Sequence, residues 1–221
     1  MGRVLPILFS TDMVQAILDG RKTVTRRVVK KQQCLLLGKC EPSELAKSEF
    51  IPYDGMSMKE YLSGTYKSPY KAGDTLYVRE TWNFVYEMDD FDRPIYETGG
   101  YVYCADDPMP FSHWVDTGTG DHKDRMPWRP SIHMPKEAAR IWLKVTGVQM
   151  ERLQSMNGRD ILREGVNCHV HPEAHYFDGN QKMMFAELWD STIRKSELKR
   201  YGWDANPWEW VIEFERCDKP E

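Results

Sequence analysis

The sequence has no apolar run long enough to cross a membrane. A transmembrane helix needs roughly 18 consecutive apolar residues, and charged residues interrupt every apolar segment of this chain before that length. The opening stretch, MGRVLPILFS, also lacks the charged, apolar and small-residue regions of a secretory signal. We therefore expect a cytoplasmic protein that makes no membrane contact.

Cysteine is sparse, and its pattern is not that of a disulfide framework. The chain has five cysteines, an odd number, at scattered positions, which favours reduced thiols. The segment CHVHPEAH places Cys168 beside His169, His171 and His175, but this spacing matches neither a zinc finger nor a zinc-dependent hydrolase. We predict a polar loop here, with a metal-binding loop as the alternative. We predict no metal and no cofactor.

Positive charge is not in excess, since the formal net charge is −4. Proteins that hold long nucleic acids make many phosphate contacts and usually carry a basic face. A mildly acidic chain is poorly suited to that task, and a nucleoside-sized ligand is easier to reconcile with it. A local cluster of lysines and arginines could still hold one or two phosphates.

Internal repeats and linkers rich in glycine, serine or repeated charge are also absent. We therefore predict one domain that spans residues 1–221. Two irregular stretches, at about 31–69 and 83–127, interrupt the patterned segments and are predicted as insertions. The second is acidic and aromatic, and insertions of this size often carry function.

The most informative segment that is present is GRKTVTRR, from Gly20 to Arg27. The apolar spacing before it predicts a helix that starts near Thr11, and Gly20 is a typical residue to end one. The apolar run VLPILF, from Val4 to Phe9, predicts a buried strand that leads into this helix. On pattern alone, GRKTVTRR is either a solvated turn that enters an amphipathic strand or a reactive, anion-binding cluster.

The motif resembles the signature of the ASCH family, small PUA-like proteins associated with RNA and modified nucleosides. Four further segments resemble the same family in the same order along the chain. They are KAGDTLYVRETW (71–82), the stretch from Trp128 to Leu153, the short helix NGRDILREG (157–165) and GWDANPWEWVIEFE (202–215). The stretch from Trp128 to Leu153 is similar to that of the phage-type branch. The resemblance implies an α+β fold, a PUA-like (ASCH) mixed β-barrel with flanking short helices and two long insertions.

The resemblance also implies a catalytic group. In the branch similar to N(4)-acetylcytidine amidohydrolase, a lysine, a threonine three residues later and a glutamate from a later helix are the proposed catalytic residues. The matching positions are Lys22, Thr25 and Glu164, with Glu80 as a rival for the glutamate. The predicted substrate-binding residues are Arg21, Arg27, Glu80, Trp82 and Trp128.

Two of these residues are tryptophans, which have two possible roles. The chain contains eight tryptophans, and core packing is the usual role of a tryptophan near a strand end. An exposed ring can instead stack on a nucleobase. Trp82 and Trp128 are the candidates for stacking because each borders a predicted insertion.

The chemistry of the group leaves two mechanisms open. Lys22 can remove a proton from Thr25 if burial or neighbouring cations keep it neutral, although the charge of Glu164 opposes this. Alternatively, Lys22 stabilises an oxyanion while Glu164 activates water. Three residues apart on a regular strand, Lys22 and Thr25 would lie on opposite faces, so the first mechanism requires a turn or bulge.

The sequence is therefore compatible with three functions. The first is an amidohydrolase that acts on an acylated modified nucleoside. The others are a non-catalytic RNA- or nucleotide-binding module, and a ribonuclease that uses the histidine-rich loop with a metal. The expected partner is a modified nucleoside or RNA, and the pattern does not indicate an oligomeric state.

Overall fold

The computed structural model describes residues 2–29, 67–91, 93–108, 115–116, 122–123, 128–166 and 177–220. The chain divides into two compact units, each built from separate stretches of sequence. The first contains Met1–Gly2, Gly20–Asp74 and Lys144–Glu215, and the second contains Arg3–Asp19, Thr75–Leu143 and Arg216–Glu221. The single domain over residues 1–221 stays a prediction. Most of the insertion at 31–69 lies outside the described residues.

Short strands and helices alternate along the described chain. The strands are β1 (Val4–Leu8), β2 (Val24–Val28), β3 (Thr75–Arg79), β4 (Trp82–Met88), β5 (Pro94–Tyr103), β6 (Val115–Asp116), β7 (His122–Lys123), β8 (Trp142–Arg152) and β9 (Trp208–Cys217). The α-helices are α1 (Thr11–Leu18), α2 (Gly158–Arg163), α3 (Phe177–Thr192) and α4 (Leu198–Tyr201).

In the first unit, strand β9 lies between β8 and β2. It pairs with β2 in antiparallel register, with Thr25 opposite Ile212 and Arg26 opposite Val211. Residues 208–212 of β9 are buried without interruption. Strand β9 is therefore covered on both faces there, whereas its sequence pattern predicted one buried face, that of Trp208 and every second residue after it.

Helix α2 begins with a complete capping box. The Asn157 side chain accepts a hydrogen bond from the Asp160 backbone N–H, and the Asp160 side chain accepts one from the Asn157 backbone N–H. Such a box satisfies two backbone donors that a helix start otherwise leaves unpaired. The helix ends at Arg163 with Glu164 as its C-cap, and Gly165 follows with a φ of 82° in the left-handed region that glycine tolerates. The predicted short helix with its Asn157 cap is confirmed.

In the second unit, β1 pairs with β3 in parallel register. Ile7 and Phe9 are buried, but Val4 and Leu8 are 37% and 43% exposed. The prediction of a buried strand is therefore wrong for one of its faces. Because successive side chains of a strand point to opposite sides, only alternate residues of this apolar run reach the core.

The predicted irregular insertion at 83–127 begins with regular structure. Strands β4 and β5 form an antiparallel hairpin, with a register shift between Val85 and Glu87. A Cβ added at Gly99 of β5 would lie 2.7 Å from the Phe84 ring and 2.8 Å from the Tyr86 ring. The absence of a side chain at Gly99 thus lets the two rings pack directly on the backbone of β5.

These elements confirm the predicted α+β class with mixed strand pairing, since parallel and antiparallel pairs and short helices are all present. The barrel part of the prediction is corrected. Closing a barrel requires hydrogen bonds between the first and last strands of a sheet, and the described strands of neither unit close on themselves. Among the helices that the structure describes, none is long and apolar enough to span a bilayer.

Candidate functional site

The motif residues start at a turn in the first unit. Gly20 adopts a φ of 75° after helix α1 ends, and the regular strand β2 begins only at Val24. Between them, Lys22 forms an isolated β-bridge with Glu164, and the Thr23 backbone N–H donates to the Arg163 carbonyl at 2.9 Å. Lys22 thus precedes the strand, so the rule that would place Lys22 and Thr25 on opposite faces does not apply.

Lys22 and Glu164 form a buried ion pair. The Lys22 Nζ lies 2.6 Å from Glu164 Oε2 and also donates to the Glu164 backbone carbonyl at 2.8 Å. The two residues are 2% and 6% exposed. Because the bridge and the ion pair join the same two residues, helix α2 fixes the position of the lysine through both backbone and side chain.

Arg26 links Glu164 to a second buried carboxylate. Its Nη1 donates to Glu164 Oε1 at 2.9 Å, and its Nε donates to Glu209 Oε1 at 2.7 Å. Both oxygens of Glu164 are therefore bound to cations, one to Lys22 and one to Arg26. The result is a buried chain of charges that runs from Lys22 to Glu209.

Thr25 lies beside this chain of charges and is 1% exposed. Its Oγ1 accepts a hydrogen bond from Arg27 Nη1 at 2.7 Å, and the same nitrogen donates to the Arg26 carbonyl at 2.9 Å. A guanidinium that donates to a hydroxyl oxygen stabilises negative charge on that oxygen. The Arg27 contact therefore favours Thr25 as a nucleophile.

Burial lowers the pKa of the Lys22 ammonium below its usual value, because the charged form loses its hydration. The charge and the hydrogen bond of Glu164 oppose this change, and Arg27 and Arg26 add to it. The net direction is downward, so desolvation and like charge together outweigh the carboxylate. Burial and the neighbouring arginines therefore act against the effect of Glu164, in the direction that a lysine base requires.

Glu209 is the member of this group that sequence reasoning missed. It is 0% exposed, and its Oε2 has no hydrogen-bond partner in the described part of the chain. Burial raises the pKa of its carboxyl well above the usual range, while the charge of Arg26 acts in the opposite direction. The sequence offered one signal, a glutamate between two tryptophans at the start of the strand.

The remaining predicted site residues lie outside this buried group. Arg21, in the first unit, has an exposed contact in which its Nη1 donates to the Gly165 carbonyl at 2.9 Å. Glu80, Trp82 and Trp128 belong to the second unit. The Trp128 Nε1 donates to the Pro108 carbonyl at 3.1 Å. The substrate-binding roles of these residues stay predictions.

Glu80 and Trp82 are both buried within the second unit. The Glu80 oxygens accept two hydrogen bonds from Arg140 at 3.0 Å each, and burial raises the pKa of the Glu80 carboxyl against the effect of Arg140. Trp82 is 5% exposed and packs in a core cluster with Met134 and Trp142. Its surroundings match the core role of a tryptophan rather than an exposed stacking face.

The predicted polar or metal-binding loop from Cys168 to His175 lies outside the described residues. In the part of the chain that is described, no group of three or more His, Cys, Asp or Glu side chains is arranged to hold a metal ion.

Comparison with known proteins gives two similar solved structures. One is a protein of the family DUF984 from Enterococcus faecalis, with 12% identity over 99% of this chain and 81% of that one, at a TM-score of 0.37. The other is an ASCH domain from Lactobacillus crispatus, with 10% identity over 97% and 79% of the two chains, at a TM-score of 0.34. The segment from residue 20 to residue 27 contributes Lys22, Thr25, Arg26 and Arg27 to the site described above. No family model and no curated protein matches the chain.

Proposed function

We propose that the protein is an amidohydrolase that removes an acyl group from a modified nucleoside such as N(4)-acetylcytidine. The observation that supports this best is a buried lysine with a lowered pKa, paired with Glu164, on the same short segment as a threonine whose oxygen accepts from Arg27. The substrate class rests on the resemblance of the Gly20–Arg27 motif.

In the first half of the reaction, neutral Lys22 takes the hydroxyl proton of Thr25 while the Oγ1 attacks the acyl carbonyl carbon. The C–N bond then breaks, and the leaving amine takes the proton from the Lys22 ammonium. Arg27 stabilises the developing charge on the threonine oxygen. The transfer requires Lys22 Nζ and Thr25 Oγ1 to come within hydrogen-bond reach when the substrate is bound.

In the second half, water attacks the acyl-threonine ester and gives one proton to Lys22. The ester bond breaks, the threonine oxygen recovers its proton from Lys22, and the carboxylic acid leaves. The sum is one amide and one water converted to one amine and one acid.

Glu164 is better suited to positioning Lys22 than to activating water. Both of its oxygens already accept charge-assisted hydrogen bonds, from Lys22 and from Arg26. A water that Glu164 was to activate would have to compete with Lys22 and Arg26 for these oxygens. This contact pattern favours the threonine mechanism over the one in which Glu164 activates water.

The test is to incubate the protein with N(4)-acetylcytidine and follow cytidine by chromatography. Thr25→Val removes the hydroxyl at nearly constant volume, so turnover should fall about 100-fold or more. Thr25→Ser is the matched control, because it keeps a nucleophilic oxygen and should retain measurable turnover. Lys22→Ala should abolish release.

Thermal melting of each variant separates loss of chemistry from loss of fold. Wild-type turnover in a folded Thr25→Val variant would refute threonine as the nucleophile. If the wild-type protein releases no cytidine but binds the nucleoside, the amidohydrolase proposal fails and a binding role replaces it.

A nucleotide-binding role without catalysis is the second candidate, and the charge of the buried group favours it. Lys22 and Arg26 pair with two carboxylates, Glu164 and Glu209, and Arg27 adds a third basic side chain through its contact with Thr25. An excess of positive charge in a low-dielectric region attracts an anion such as a phosphate. Binding of a nucleotide that is recovered unchanged after long incubation would support this role.

A further inference from the structure

Glu209 occupies a position that core packing alone does not explain. Its side chain is buried on strand β9, where Oε1 accepts from Arg26 Nε at 2.7 Å and Oε2 has no partner among the described residues. A buried acceptor without a partner costs about 1–3 kcal/mol, and more when it is charged. An apolar residue would fill the same place between Trp208 and Trp210 without this cost.

The contact that the carboxyl does make acts on the site. Arg26 is 4% exposed, and its Nε and Nη1 are bound to two different carboxylates, Glu209 and Glu164. A planar guanidinium held at two nitrogens has a fixed orientation. Glu209 therefore determines where Arg26 meets Glu164, and Glu164 in turn holds the Nζ of Lys22.

Several other charged or titratable groups act on this chain of contacts. They are Arg27 on β2, Asp160 on α2, Glu151 on β8, and Tyr70, which precedes β3. None of them is hydrogen-bonded to both Arg26 and Glu164 among the bonds described. The link from β9 to Lys22 thus passes through Glu209 and Arg26.

We propose that Glu209 is a positioning residue of this site: through Oε1 it holds Arg26 against Glu164, and so it controls how Glu164 pairs with Lys22. This role rests on the proposed function, in which Lys22 is the base. Glu209 is 0% exposed, so we expect it to act on the base and not on substrate binding.

The electrostatics of the group agree with a neutral Glu209. Desolvation is the largest influence on the carboxyl and raises its pKa, ahead of the opposing effect of Arg26. With Glu209 neutral, Glu164 is the carboxylate that remains among three cations, and like-charge repulsion then favours loss of the Lys22 proton. The raised pKa of Glu209 and the lowered pKa of Lys22 therefore favour one another.

Two substitutions at Glu209 test the role. Glu209→Gln keeps an acceptor for Arg26 and imitates the neutral acid, so it should behave like the wild type. Glu209→Leu removes the acceptor. In this variant we expect Arg26 to turn its Nε towards Glu164 and to draw that carboxylate away from Lys22. The Lys22 ammonium then loses stabilisation and its pKa falls.

Two kinetic results should follow from Glu209→Leu. We expect kcat to fall about ten-fold with KM little changed. The acidic limb of the pH–rate profile should move to lower pH by about one unit.

A titration that needs no turnover separates this proposal from the proposed function. In ¹³Cε-lysine NMR, the Lys22 signal is assigned by its absence from Lys22→Met. The pKa of Lys22 should be the same in wild type and Glu209→Gln, and lower in Glu209→Leu. Glu213→Gln, on the same strand but in a half-exposed pair with Arg163, is the control and should leave the titration unchanged.

An unchanged Lys22 titration and pH profile in folded Glu209→Leu would overturn the proposal, and so would a Gln variant that behaves like Leu. If Glu209→Leu does not fold, Arg26→Lys carries the same test, because a single ammonium cannot bind Glu164 and Glu209 with the same fork geometry. It should lower the Lys22 pKa in the same way, and an unchanged value would refute the link. If the wild type hydrolyses nothing but the titrations behave as expected, the proposed function fails, while the link from Glu209 through Arg26 to the Lys22 pKa stands.

Discussion

Glu209 makes the stability of the first unit depend on pH in the direction opposite to that of most carboxylates. Its pKa in the folded protein lies above that of an exposed glutamate, because burial disfavours its charged form. The folded state thus keeps a proton that the unfolded chain releases at about pH 4.3. The stability from this residue is fully present below that pH, and it is lost as the pH rises through the folded pKa.

We therefore expect Glu209→Gln to become more stable relative to the wild type as the pH rises from about 4 to 8. The amide cannot ionise, so the variant escapes the cost that the wild type meets over this range. The lowered pKa of Lys22 has its own effect on stability, but it is present in both proteins and largely cancels in the difference. Thermal melts of the two proteins at several pH values provide the measurement.

Glu213→Gln serves again as the control, because its partly exposed ion pair with Arg163 should give no comparable trend. A constant difference in melting temperature between wild type and Glu209→Gln would mean that Glu209 ionises in the fold as it does in water.

At the scale of single residues, the sequence led to Lys22, Thr25 and Glu164, but not to Glu209. The first two belong to one ungapped motif, and the glutamate follows from a helix with a recognisable cap and a terminal glycine. Alternation along β9 assigned Glu209 to the face opposite Trp208. That both faces of β9 are buried there depends on tertiary packing, which a period of two does not contain.

At the scale of elements, helix α2 positions Glu164 against Lys22. The helix is six residues long, and its first turn is closed by the Asn157–Asp160 capping box. So short a helix has little stability of its own and depends on its caps and on packing. Ile161 is its buried anchor, in a cluster with Leu153 and Trp189.

We expect Asn157→Ala to lower the free energy of unfolding by about 1 kcal/mol, the usual cost of losing an N-cap acceptor. Turnover should fall as well, because a frayed α2 holds Glu164 less firmly against Lys22. Denaturant unfolding and cytidine release measure the two effects. Asn157→Ser is the matched control, since serine also caps helices, and it should retain most of both. Equal loss in the alanine and serine variants would show that the cap is not what matters.

The hairpin of β4 and β5 shows why the sequence predicted an irregular insertion where the structure has two regular strands. Its register shifts between Val85 and Glu87, and such a bulge reverses the alternation of buried and exposed residues in mid-strand. Several of its large apolar side chains are exposed, among them Tyr86 and Tyr96. A segment with broken alternation and a dense acidic and aromatic composition therefore suggested an irregular insertion.

At the scale of the whole molecule, the two compact units divide the predicted residues between them. Each unit takes several separate stretches of chain, so no composition shift or linker marks a boundary between them in the sequence. The buried group of Lys22, Thr25 and Glu164 falls within the first unit, and the buried pair of Glu80 and Arg140 within the second. Sequence order alone could not separate these two sets.

The net charge of −4 favours a small ligand over a long nucleic acid. The salt dependence of RNA binding tests this, because it reports the number of phosphate contacts. A protein that neutralises Z phosphates of a single strand loses affinity with a slope of about −0.7Z in log K against log salt. With an acidic surface and the cations of the motif mostly buried, we expect at most about two phosphate contacts. Binding of a 12-nucleotide RNA should therefore give a slope of about −1.5 or shallower. If the exposed Arg21 contacts a phosphate, Arg21→Gln should make the slope shallower still.

A slope of about −4 or steeper in the wild type would require some six phosphate contacts. That result would refute a nucleoside-sized substrate and establish the chain as an RNA-binding module.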